Sequence, residues 1–272
     1  MKANNTLSIS ILSGKGGVGK TNIALNLGYC MYRGGFPVML MDCDLGLANL
    51  DVLLGVTPDT NMQTLLDTDT PAEDVAFPIE PDGFDFLPAA SGVPELVEMD
   101  SDLRNLLFQR LNPLFTNYNY LLMDLGAGIT PTVLSLAAMT KLRVVVVTPE
   151  PTSLTDSYAL MKVLSTQHNV KDFHIIVNQT EDKVEETSTY NRIATACERF
   201  LGFTPKLLGG ICQDRMIPEA VRLQTPLLKH APNSNAARDI FSIAVKLQKL
   251  RTSMANDISK SIFTQSINEL TN

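Results

Sequence analysis

Short apolar runs alternate along this chain with longer stretches in which apolar residues recur at helical spacing. The runs predict strands at Leu7–Leu12, Pro37–Met41, Phe84–Leu87, Tyr120–Met123, Arg143–Thr148, His174–Val177 and Leu207–Ile211. The periodic stretches predict helices from near Lys20, over Ser101–Phe115, Thr132–Met139, Asp156–Gln167 and Glu186–Leu201, and from Pro218 and Asn235 onward. Strands separated by helices imply right-handed crossovers. The expected fold is α/β, with a mostly parallel central sheet covered by helices on both faces. In such sheets ligands sit beyond the carboxyl ends of the strands. Asp42, Asp124 and Asn178 all fall at predicted strand ends.

Composition narrows the class. At 272 residues and 44% hydrophobic, the chain can bury a substantial core. The expected division is one domain over residues 1–250 and an amphipathic tail helix over 251–272. The longest apolar run, Val144-Val145-Val146-Val147, suits a buried strand and is far too short to span a bilayer. The first residues are polar, so a cytoplasmic protein is expected. Net charge is −7. From Arg222 onward seven Lys/Arg stand against three Asp/Glu, a local +4 that leaves −11 for the rest. That acidic body argues against DNA as a partner. Four scattered cysteines (Cys30, Cys43, Cys197, Cys212) form no C-x-x-C pair, and the histidines at 168, 174 and 230 have no metal-ligand spacing.

The strongest chemical signal is Gly14-Lys15-Gly16-Gly17-Val18-Gly19-Lys20-Thr21, followed by Asn22. It fits the phosphate-loop pattern in the required place between a strand and a helix. Its glycines let backbone N–H groups turn toward phosphate, Lys20 reaches the β and γ phosphates, and the Thr21 hydroxyl ligates Mg²⁺. The extra lysine, Lys15, makes this loop resemble the deviant Walker A of the MinD/ParA ATPase family. There the early lysine reaches the nucleotide of a facing subunit.

Asp42-Cys43-Asp44-Leu45-Gly46-Leu47-Ala48-Asn49-Leu50-Asp51 resembles that family's switch I. On that match Asp44 orients the attacking water and Asp42 serves the Mg²⁺ shell. Tyr120 to Gly128 resembles Walker B running into switch II, with Asp124 for the metal and the Gly126 N–H for the γ phosphate. Asn178 matches the adenine-reading asparagine. Gly210-Ile211-Cys212-Gln213-Asp214 resembles the G-x-I-P-x-D segment that lines the base, with Cys212 in place of proline. Glu150 is expected beside the nucleotide as well.

Within the family, Asp44 to Gly55 and Thr148 to Ala159 resemble the flagellar-number regulators, the FlhG/FleN group. The resemblance implies an ATP-hydrolysing switch that dimerises with ATP and Mg²⁺ and controls flagellar number or placement. It implies as partners the signal-recognition-type GTPase FlhF, flagellar switch proteins or a transcription activator. The residues before Gly14 carry no D-Q-A-x-x-L-R segment of the kind that stimulates that GTPase, so stimulation is left out of the expectation. Ile258, Ile262, Phe263, Ile267 and Leu270 would share one side of a tail helix, able to hold the inner face of the cell membrane or to pack on protein. Rival readings are a septum-site or partitioning ATPase, a nucleotide-dependent scaffold with negligible turnover, and an iron–sulfur electron carrier. For the carrier, neither the switch II region nor the stretch Ala90–Val97 supplies a bridging cysteine.

Overall fold

The computed structural model describes residues 4–44, 49–67, 70–89 and 101–264. Leu45 to Ala48 of switch I, the stretch 90–97, and Ile267 and Leu270 lie outside them.

Each predicted strand forms, most with small shifts at the ends. They are β1 (Leu7–Leu12), β2 (Val38–Cys43), β4 (Phe84–Leu87), β5 (Tyr120–Leu125), β6 (Leu142–Val147), β7 (Phe173–Thr180) and β8 (Lys206–Cys212). One more, β3 (Phe77–Glu80), pairs antiparallel with β4. Among the described residues the sheet runs β3-β4-β2-β5-β1-β6-β7-β8, and every pair except β3–β4 is parallel. The central strands are buried on both faces, which is why they read as continuous apolar runs rather than alternating ones. β3 escapes a sequence reading because Pro78 interrupts its run. Proline removes a ladder donor, so it is tolerated at a sheet edge, where β3 lies.

Two apolar clusters cover the two faces. One packs the helices Ser101–Phe115, Pro131–Met139 and Pro151–Gln167 onto side chains such as Leu121, Met123, Val145 and Ile175. The other packs the helices Lys20–Arg33 and Asn235–Ser253 onto Ile9, Ile11, Val144 and Ile176. Helix starts follow local chemistry. Thr130, Asp182 and Ser234 cap their helices by accepting from Val133 N (3.3 Å), Glu185 N (2.8 Å) and Ala237 N (3.2 Å). Pro151 opens its helix at the first position, so that helix begins earlier than the predicted Asp156.

The tail departs from expectation. The helix from Asn235 continues to Ser253, past the expected boundary at 250, and is followed by a short turn of helix at Ala255–Ile258. Residues 259–264 are not helical. They cross the amino ends of the central strands. Asn4 Nδ2 donates to Ile258 O (2.6 Å), Ser8 Oγ to Ile262 O (2.6 Å), and Thr264 N to Met139 O (2.8 Å). Ile258, Ile262 and Phe263 are buried, and Phe263 meets Phe108 edge-on at 5.2 Å. These three side chains fill the protein core in this conformation; they do not line a helical lipid face. Apolar residues three and four apart satisfy either arrangement, and here the unfilled ends of the two core clusters take them.

Candidate functional site

The phosphate loop connects β1 to the helix Lys20–Arg33 at the carboxyl end of the sheet. Gly17 (φ 77°) and Gly19 (φ 91°) adopt left-handed backbone that other residues rarely hold. Gly14 is fixed by space: a Cβ there would lie 2.1 Å from the Asp156 carbonyl carbon. The helix after the loop starts at Gly19 without the side-chain cap that Thr130, Asp182 and Ser234 supply elsewhere. Its first N–H groups are therefore free of side-chain caps where an anion would dock.

The two lysines of the loop diverge. Lys20 is buried, and its charge lowers the pKa of Asp124. Lys15 points outward: its Nζ donates to Glu150 Oε2 (2.5 Å) and Thr152 Oγ1 (3.2 Å), with both charged side chains substantially exposed. The Lys15 ammonium holds the Glu150 carboxyl below its ordinary range.

Two carboxylates stand side by side beneath the loop. Asp42 and Asp124 occupy paired register positions on adjacent parallel strands, and both are almost fully buried. Burial, then the neighbouring Asp124 charge, pushes Asp42 up to about 7, against three backbone donors that favour its ionised form. Those donors are Asp44 N (3.0 Å), Asn49 N (3.2 Å) and Leu50 N (3.3 Å). Burial raises Asp124 to about 6, offset by Lys20 and a hydrogen bond with Thr21. Its Oδ1 is buried with no hydrogen-bond partner. An orphaned carboxylate oxygen beside a second carboxylate and a threonine hydroxyl suits a hard divalent cation. Asp44 follows at the strand end, and a Cβ on Gly126 would lie 3.5 Å from its Oδ1, so the two switch segments meet.

The base-side residues separate into different roles. Asn178 sits inside β7 rather than at its end. Its Nδ2 donates to Val18 O (2.8 Å), and a Cβ on Gly19 would collide with it at 2.5 Å. Gln179 follows with φ 60°, at a register shift between β7 and β8. Ile211 is buried in the core, and Cys212 N donates to Asp239 Oδ2 (3.0 Å). Burial and the nearby Asp239 push the Cys212 thiol up to about 11, so it remains a neutral thiol. Asp214 is committed to backbone: its carboxylate accepts from Met216 N (2.9 Å) and Ala236 N (3.1 Å). Burial alone would raise its pKa, but these donors lower it. Sequence reasoning did not find this fastening role, nor the link between Asn178 and the phosphate loop.

Comparison with known proteins identifies the family and the fold. A ParA family model, described as NUBPL iron-transfer P-loop NTPase, matches residues 4–248. The chain belongs to the ParA/MinD family of P-loop ATPases. It is 34% identical to the antiactivator FleN of Pseudomonas aeruginosa, across 88% of this chain and 85% of that protein. It is also 34% identical to the flagellum site-determining protein YlxH of Helicobacter pylori, across 91% and 84%. Among solved structures, the septum site-determining protein MinD of Pyrococcus horikoshii, complexed with Mg-ADP, superposes with a TM-score of 0.73. The identity there is 25%, over 90% of this chain and 97% of that one. As a member of this family the chain is an ATPase. The four cysteines are free, and no group of three or more His, Cys, Asp or Glu among the described residues could hold a metal.

Proposed function

We infer that this chain is an ATP-driven, dimerising switch that regulates the number or placement of flagella. The similarity to FleN and YlxH supports the flagellar branch. The observation that carries the dimer switch is the outward Lys15. Its charge is presented at the lip of the loop, held by Glu150 and Thr152, away from the Lys20–Asp124 cradle.

The chemistry follows from the chain's own groups. Backbone N–H groups of Gly14 to Asn22 cradle the phosphates, and Lys20 carries the β and γ charge. Thr21, Asp42 and Asp124 would hold Mg²⁺, which would supply neutralising charge to the phosphates. Asp44 orients the attacking water, and the Gly126 N–H senses the γ phosphate. Lys15 from the facing copy stabilises charge developing in the transition state. Asn178, on turning from Val18 O, offers both a donor and an acceptor to the adenine edge. Ile211, Cys212 and Asp214 shape the wall beside it, Asp214 through the backbone it fastens. Partners reading the closed state would be the signal-recognition-type GTPase, flagellar switch proteins or a transcription activator. A membrane contact would draw on residues beyond Thr264, because Ile258, Ile262 and Phe263 are occupied in the core.

The test is light scattering of the Asp44→Ala variant, which keeps the cradle but slows hydrolysis. A dimer in Mg·ATP and a monomer in ADP is expected. A monomer in both states refutes the switch. A septum-site role, as in the Bacillus subtilis MinD that is 26% identical, is distinguished by deleting the gene and scoring flagellar number against division-site position.

A further inference from the structure

The stretch that resembles the flagellar-number regulators ends in Asp51-Val52-Leu53-Leu54-Gly55, residues to which the reaction assigns no role. In the structure it forms the short helix Leu50–Leu54, and both ends of that helix are tied down. At its start, Asn49 N and Leu50 N donate to the carboxylate of Asp42, the metal-side acid. At its end, Gly55 turns the chain with φ 66°, and Val52 O accepts from Gln224 Nε2 at 2.9 Å. The approach is close: a Cβ on Gly55 would lie 2.4 Å from Gln224 Oε1.

Gln224 is itself held in an unusual way. It has φ 49°, and its N–H donates to Val221 O (3.0 Å) at the end of the helix Met216–Arg222. That helix begins on the base side of the site, where Met216 N donates to Asp214 Oδ1. A continuous path therefore runs from Asp214 along one short helix to Gln224. It crosses to Val52 and returns along a second short helix to Asp42. The two ends of the candidate nucleotide site, base and metal, are spanned by two short helices and one amide clasp.

We propose that Gln224 is a positioning residue for the ATPase. Its amide holds the helix Leu50–Leu54 so that Asp42, and Asp44 two residues on, keep their place relative to the loop fastened by Asp214. The strained backbone at Gln224 aims the amide across 172 residues of sequence at one carbonyl. This inference rests on the ATPase reading and adds a residue outside the nucleotide contacts.

The variants are Gln224→Ala and the near-isosteric Gln224→Glu, which removes the donor but keeps the shape. The full chain is assayed for steady-state ATP turnover, half-saturating Mg²⁺, metal-free ADP affinity, thermal midpoint, and amide hydrogen exchange over residues 50–56. Loss of this one exposed hydrogen bond is expected to lower kcat about 2- to 10-fold and to speed exchange over 50–56 by a similar factor. Half-saturating Mg²⁺ should rise, while metal-free ADP affinity and the thermal midpoint stay close to wild type. Unchanged kcat and exchange in both variants overturns the proposal. So does a parallel fall in kcat, ADP affinity and thermal midpoint, which marks a general structural role. A wild-type chain without ATP turnover would instead defeat the ATPase reading, and the exchange measurement would still decide whether the clasp exists.

Discussion

Replacing Phe263 by alanine separates two uses of the same apolar tail. In the structure this ring is 3% exposed and packs edge-on against Phe108 and Phe115 at 5.2 and 6.4 Å. Its neighbours are fastened, Ser8 Oγ donating to Ile262 O and Thr264 Oγ1 donating to Thr140 O, so the site cannot easily collapse. Truncating a buried phenylalanine costs about 3–5 kcal/mol through lost transfer energy and the cavity left behind. For a chain of this size, each kcal/mol moves the thermal midpoint by about 2 °C, so a fall of about 6–10 °C is expected. The assay is thermal unfolding by circular dichroism without nucleotide, since bound ligand adds its own stabilisation. Co-sedimentation with anionic vesicles is run on the same protein. A midpoint within about 1 °C of wild type, together with lost sedimentation, would refute the core assignment and restore the lipid face.

The two loop lysines should fail differently. Lys20→Ala is expected to abolish tight ADP binding, and Lys15→Ala to leave monomer affinity nearly intact while losing dimerisation and turnover; equal weakening by calorimetry refutes the outward role. The paired acids make metal stabilisation pH-dependent. Asp42 and Asp124, at about 7 and about 6, keep protons that the unfolded chain releases near pH ~4, so metal-free stability falls as pH rises through that window. Mg²⁺ requires both groups ionised, so the midpoint gain from Mg·ADP should be larger at pH 7.5 than at pH 5.5, and a constant gain refutes the pair as ligands.

The site was legible where chemistry constrains residue type locally. The glycines of the loop, Lys20, Thr21 and the two aspartates each answer to a short-range demand, and the strands under them are apolar because they are buried on both faces. What escaped was set by long-range packing. Asp214 looks like a base contact in sequence, yet Met216 N and Ala236 N take its oxygens, one of them donated from 22 residues away. Gln224 carries no signature at all, because a glutamine in a polar turn is ordinary until Gly55 and Val52 O are brought to it.

The tail was ambiguous for a different reason. Ile258, Ile262 and Phe263 recur at spacings that a helix, a lipid surface and a core all accept, so the pattern alone cannot choose. The choice is energetic. A short helix with few cations gains little from a lipid interface. Ile262 and Phe263 gain more between the sheet and the helices Ser101–Phe115 and Pro131–Met139, and Ile258 gains more in the cluster on the other face, while Ser8 and Met139 satisfy backbone of residues 259–264 and Thr140 O accepts from the Thr264 hydroxyl. That fastening lies at the amino ends of the strands, the nucleotide site at their carboxyl ends, and the fully buried central strands lie between them. Nucleotide binding at the far end makes no contact with residues 259–264 that would distinguish their docked state from a free one. A ligand shifts an equilibrium only by its differential affinity for the two states. Membrane attachment governed by ATP would therefore act through bringing two copies together, with avidity multiplying a weak contact, rather than through prising Phe263 from its pocket.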